Sequence, residues 1–112
     1  MPKRRVDRSL TGAALLFAAL GDPTRLTLLR QLSDGGPASI SALAAKQSMT
    51  RQGVTKHLHV LAGAGSIDGN RQGREQMWAV NPQRLAEGSQ HLDVIAAGWE
   101  EALARFKKLV EE

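Results

Sequence analysis

Apolar and polar positions alternate along this chain with periods that change several times, and each change predicts an element. From Leu10 to Leu20 apolar residues surround a helical axis, which predicts a largely buried first helix beginning at a Ser9 cap. Asp22-Pro23 pairs an N-cap residue with proline at the first helical position, the start of a second helix running to about Ser33. Leu26, Leu29 and Leu32 would form its inner face, with Arg25 and Arg30 pointing elsewhere, and Asp34-Gly35-Gly36-Pro37 would end it. Ser41 reads as the cap of a short third helix through about Gln47, with Ile40, Leu43 and Ala44 toward the core. After a Ser48-Met49 turn, Thr50 caps a fourth helix whose Val54, Leu58 and Leu61 recur at i, i+4 and i+7. Gly63 and Gly65, free to take positive φ, would close it.

The period then shortens to two. Ser66 to Gly69 predicts a strand, Asn70 to Gly73 a turn and Arg74 to Val80 a return strand, in which Met77 and Ala79 alternate with Gln76 and Trp78. Asn81-Pro82 repeats the cap-plus-proline start. Beyond it Leu92, Ile95, Trp99, Leu103, Phe106 and Val110 recur at steps of three or four. Gly88 predicts a break or kink in this last helix, and Gly98 beside Trp99 a close helix approach. The architecture is therefore mainly α with a small β-hairpin, a winged helix-turn-helix in the order α-α-α-α-β-β-α with a long C-terminal helix. Residues 1–8 read as a flexible basic arm and 9–112 as one DNA-binding and dimerisation domain. A domain this small spends its core on helices two to four, so the final apolar stripe is most economically buried against a second copy.

The fourth helix has a second face of different chemistry. Arg51, Gln52, Thr55, Lys56 and His59 fall opposite the apolar stripe, with no acid among them. Arginine and glutamine can each pair in bidentate fashion with base edges in the major groove. Charge placement agrees. The net charge is +4, with Lys3, Arg4, Arg5 and Arg8 on the arm. Between Lys46 and Glu75 five basic residues face two acids, and Arg71 and Arg74 lie at or beside the hairpin tip. That excess favours a polyanionic partner. The chain has no cysteine, which excludes disulfides and thiolate metal sites and fits a cytoplasmic protein. No apolar run reaches the roughly 20 residues of a membrane span. The basic N-terminus before Leu10–Leu20 mimics a signal peptide, but it runs directly into a capped second helix.

Three segments resemble one family. Ala19-Leu20-Gly21-Asp22-Pro23-Thr24-Arg25, then Ile40-Ser41-Ala42-Leu43-Ala44, then Val54-Thr55-Lys56-His57-Leu58-His59-Val60-Leu61 followed by Gly65, look like the ArsR/SmtB-type winged-helix transcriptional repressors. The resemblance implies a homodimer built from the first and last helices, with Leu15, Leu16, Leu92, Ile95, Trp99, Leu103 and Phe106 at its interface. It also implies that the fourth helix enters the major groove while the wing lies along the backbone. Carried over by position, Arg51, Gln52, Thr55 and Lys56 are base-reading candidates, with the cap Thr50 beside them; His59, Arg71 and Arg74 are phosphate candidates. His57 reads as a semi-buried histidine. The chain departs from the metal-sensing members. Its third helix, Ser41-Ala42-Leu43-Ala44-Ala45-Lys46, holds no ligand for a soft metal. His91 and Asp93 offer half of another family site, but the position eleven residues after His91 is Ala102.

The reading is a sequence-specific DNA-binding regulator: a homodimeric repressor that reads a palindromic operator with the helix 50–62 and a wing at 69–75. It needs no cofactor and has no catalytic or metal residues. For release from DNA the sequence leaves three options unranked: an unidentified effector, such as a small apolar ligand between the first and last helices, competition with other DNA-binding proteins, or control by abundance. The alternative is a winged-helix module that binds protein, with weak non-specific DNA binding; the fourth-helix face lacks the exposed aromatic anchor such a surface usually carries. An enzyme is disfavoured, because His57, His59 and His91 form no spaced ligand set and no nucleophile motif is present.

Overall fold

The structure is a computed structural model that describes residues 8–111. Five helices and a small sheet follow in the order α1 (Arg8–Leu20), α2 (Pro23–Gly35), β1 (Ala38–Ser39), α3 (Ile40–Gln47), α4 (Arg51–Gly63), β2 (Ile67–Gln72), β3 (Glu75–Val80) and α5 (Pro82–Glu111). The sequence-predicted arm lies outside the described residues apart from Arg8, which is already in α1. Ser9 is therefore inside that helix rather than its cap, and its Oγ shares a 2.8 Å hydrogen bond with His91 Nε2 on α5.

The starts of α2, α4 and α5 follow the expected caps. Asp22 accepts from the Arg25 N–H at 3.0 Å, Thr50 Oγ1 from Gly53 N–H at 3.0 Å, and Asn81 Oδ1 from Arg84 N–H at 3.2 Å. The third helix begins earlier than the sequence predicts. Ser39, not Ser41, is its cap, accepting from the Ala42 N–H at 3.2 Å. The reason is tertiary: Ala38 and Ser39 form a two-residue strand that pairs antiparallel with Trp78 and Met77. This ends the extended backbone at Ser39 and makes a three-stranded sheet in the order β1-β3-β2. Left-handed Ser48 (φ 53°) closes α3, as the helix-turn-helix needs.

The main core gathers one face of each element. Leu28, Leu29 and Leu32 of α2, Leu43 of α3, Val54, Leu58 and Leu61 of α4, Ile67 and Trp78 meet in one cluster. Leu26 is not in it; α2 is turned so that Leu28 takes the inner position and Leu26 is exposed. On β3 the inward residue is Trp78, with Met77 and Ala79 only partly covered. Trp78 stands opposite Gly69 in the ladder, and its ring lies so close that a Cβ on Gly69 would sit 3.1 Å from it. The first hairpin arm runs three residues further than predicted and the return arm starts one residue later, with a two-residue turn at Gly73-Arg74. Positive φ at Gly73 (64°) suits the first position of a II′ turn, which matches strand twist.

The first helix is buried on one side only. Ala13, Leu16 and Ala19 are covered, whereas Leu10 and Leu15 are exposed. Gly88 neither breaks nor ends α5, which is assigned as one helix from Pro82 to Glu111. It is instead a close approach to α1: a Cβ there would stand 2.6 Å from Leu16 Cδ2. Leu16, only 2% exposed, thus packs on α5 of its own chain and presents no surface to a second copy, contrary to its predicted interface role. Nothing lies within 4 Å of a Cβ on Gly98 in the single chain.

Candidate nucleic-acid interface

The chain builds α4 to hold one face rigidly while leaving the other open. Val54, Leu58 and Leu61 are 0% exposed. Fixing this stripe in the core aims Gln52, Lys56 and His59 outward, where all three are exposed. Gly53 lets the N-terminus close tightly, since a Cβ there would meet Met49 Cε and Thr50 Oγ1, each at 3.2 Å. Two of the predicted contact hydroxyls have local work. Thr50 Oγ1 caps the helix, and Thr55 Oγ1 donates to the Arg51 carbonyl at 2.7 Å. Half-buried Thr55 therefore offers mainly its methyl group and an acceptor lone pair outward.

The wing is tied to α4 by Ser66, which sequence reasoning treated only as the start of a strand. Ser66 is fully buried; its Oγ donates to the Leu61 carbonyl at 2.9 Å and its N–H to the same oxygen at 3.1 Å. Its own carbonyl accepts from Asn81 N–H at 2.8 Å. One residue thus sets the exit of α4, the base of β2 and the entry to α5. At the other end of the junction, the His59 ring leans on Trp78 with centroids 6.2 Å apart at 58°. His59 is held beside the wing base, and His57 is half-buried on the flank.

Arg84 is a second residue missed from sequence, because it follows the Asn81-Pro82 signal closely and reads as first-turn polarity. Its Nε donates to the Ala64 carbonyl at 3.1 Å, one terminal nitrogen to the Gly12 carbonyl at 2.9 Å, and the other pairs with Glu87 at 3.1 Å. It joins α1, the end of α4 and α5. Gly65 (φ 82°) and Gly12 make room for it: a Cβ on either would approach the guanidinium to 3.1 and 2.9 Å. Arg25 does similar work at the end of α1, donating to the Ala19 carbonyl at 2.6 Å.

The open face is predominantly basic, with Asp68 and Glu75 of the wing as its acids. Arg51, Lys56, Arg71 and Arg74 are exposed and form no ion pair among the described residues. Arg74 occupies the wing turn and Arg71 lies on β2 opposite Gln76. Behind this face, Asp22 is held below the usual carboxylate range by the Arg25 N–H it accepts from. Partial desolvation opposes that shift, and the Arg25 and His57 charges add to it. Among the described residues no three His, Cys, Asp or Glu side chains gather as a metal site. Among the described residues no helix is long and apolar enough to cross a membrane.

Known proteins share this arrangement. A helix-turn-helix domain family model matches residues 20–65. An uncharacterized HTH-type transcriptional regulator of Bacillus subtilis, YuzN, is 34% identical over 76 residues, 62% of this chain and 83% of its own length. An ArsR-like transcriptional regulator from Rhodococcus sp. RHA1 superposes with a TM-score of 0.79 at 32% identity, over 90% of this chain and 94% of that one. The chain belongs to the ArsR family of winged helix-turn-helix transcriptional regulators. It is a DNA-binding regulator and not an enzyme, and an ArsR-family chain without cysteine. The structure of AntR, an antimony-specific transcriptional repressor, is also similar, with a TM-score of 0.61 at 26% identity over 89% of this chain and 93% of that one.

Proposed function

We propose that this ArsR-family chain is a homodimeric repressor that reads a palindromic operator with α4 and steadies it with the wing. The observation that carries the reading is the acid-free face of α4 beside the exposed arginines of the wing, which form no ion pair among the described residues, on a rigidly buried scaffold. Gln52 and Lys56 are the base readers at its centre, with Thr55 offering its methyl group. His59, Arg71 and Arg74 meet the backbone. Repression is the role of the similar AntR protein.

Dimerisation rests on α5. Leu92, Ile95, Trp99, Leu103, Phe106 and Val110 are all exposed in the single chain, as is Leu15 on α1. A contiguous apolar surface of this kind on a soluble domain marks an interface. A two-fold axis through it would set two recognition helices to read half-sites about 34–36 Å apart, one helical turn of DNA.

The test is selection of bound sites from random duplex DNA, followed by gel shifts on the selected operator. Wild-type protein should prefer the operator strongly, and Gln52→Ala should lose about 1–3 kcal/mol on it and little on random DNA. Equal losses on both would remove Gln52 from base reading. Failure of wild-type protein to distinguish the two DNAs would sink the regulator reading itself.

A further inference from the structure

A cleft of about 230 Å³ separates the start of α3, the start of α4 and the wing turn. Ser39, Ser41, Arg51, Arg74, Glu75 and Gln76 line it. Two arginines 23 positions apart thus line one opening, and neither forms an ion pair among the described residues. We infer that this cleft receives one DNA backbone phosphate, gripped jointly by Arg51 and Arg74, so that Arg51 positions the complex rather than reading a base. The inference rests on the DNA-binding reading above.

Helix geometry sets Arg51 off the centre of the reading face. At about 100° per residue it lies about 100° from Gln52 and about 140° from Lys56, with Thr55 between them and Arg51, about 40° from the latter. Its flank is the one that faces α3 and the wing, as the lining of the cleft records. The sheet makes the site. Pairing of Ser39 with Met77 draws the start of α3 beside β3, and the II′ turn places Arg74 across from it. The Ser41 hydroxyl is exposed at the rim, and the first N–H groups of a helix have no partner within it. Two arginine forks on a compact tetrahedral anion give the charge-assisted, bidentate bonds for which arginine is suited. The single acid in the lining, Glu75, leaves the cleft net positive and opposes the anion. It provides an independent test.

The experiment measures binding of the wild type, Arg51→Ala, Arg51→Lys, Arg74→Ala, the double alanine variant and Glu75→Gln to operator and to random duplex across a salt series. Arg51→Ala should weaken both DNAs by the same factor, roughly 10- to 100-fold. The double variant should lower the log–log salt slope by about 0.9 per subunit, about 1.8 for the dimer, the loss of one phosphate contact in each half-site, and Arg51→Ala by less, because Arg74 still holds that phosphate. Arg51→Lys should keep the slope. The double variant should lose less than the product of the single losses, because both side chains hold one group. Glu75→Gln should tighten both DNAs alike. A scan of neutral methylphosphonates along the operator should find one position per half-site where wild type and the double variant bind equally. A loss from Arg51→Ala confined to the operator would overturn the assignment, as would independent losses from the two arginines or the absence of such a position. Wild-type protein that shows no operator preference would instead count against the regulator reading, leaving the two failures distinct.

Discussion

Two helices of this chain carry apolar stripes of similar period and meet opposite fates. On α4, Val54, Leu58 and Leu61 are sealed in the core. On α5, Trp99 and Phe106 are 65% and 64% exposed, and the rest of the stripe is open with them. Period reveals that a face is apolar; it does not reveal what covers it. The difference arises because α4 is short, bounded by a cap and a glycine exit, and enclosed by α2, α3 and the sheet. By contrast α5 is 30 residues long and contacts its own chain mainly near Gly88 and Arg84.

The contrast can be broken most forcefully at the two stripes. Leu58→Ala should cost about 2–5 kcal/mol of unfolding free energy, read by denaturant titration, because it leaves a cavity in a closed core. Trp99→Ala should leave secondary structure intact but weaken self-association by about 2 kcal/mol or more in sedimentation, as an interface anchor does. An unchanged dimer in that variant would mean that something other than a second copy covers α5. The two α5 glycines sharpen the comparison further. Gly98→Ala should raise helix stability by up to about 1 kcal/mol, since the position is open. Gly88→Ala should show no such gain, because the new methyl meets buried Leu16. Thermal melts of the two variants separate these outcomes.

The smallest effect concerns pH. The native carboxyl of Asp22 lies below its ordinary value, so its contribution to stability is present above the unfolded carboxylate pKa and fades as pH falls through the native one. Asp22→Asn should therefore flatten the acid limb of a stability-versus-pH curve while keeping a capping acceptor. An unaltered acid limb would show that the α2 cap contributes nothing to it.

Much of the candidate DNA interface is legible because its signals are local. Asp22-Pro23, Thr50 and Asn81 each announce a helix start through side chains that satisfy N–H groups three residues away. The stripe of α4 reads directly as core, and the face opposite it as solvent. The misreadings have a common origin in contacts between distant segments. Ser41 reads as the cap because the pairing of β1 with β3, which carries extended backbone to Ser39, spans some 40 residues and leaves no local pattern. Leu26 falls on the apolar face because a period of 3.6 tolerates a rotated face, and packing instead turns Leu28 inward. Gly88 looked like a helix breaker because its purpose, room for Leu16 of α1, is written 72 residues earlier.

The sequence by itself determined the order of the five helices and the hairpin, the winged helix-turn-helix, the chemistry of the α4 face and the absence of thiol ligands, but not strand β1. These follow from backbone capping and side-chain period, which act within a few residues. Only the tertiary structure decided that Arg84 joins three helices, that Ser66 fixes the wing to α4, and that Arg51 and Arg74 share a cleft. Those are meetings of groups far apart in the chain, and packing of the core is what brings them within reach.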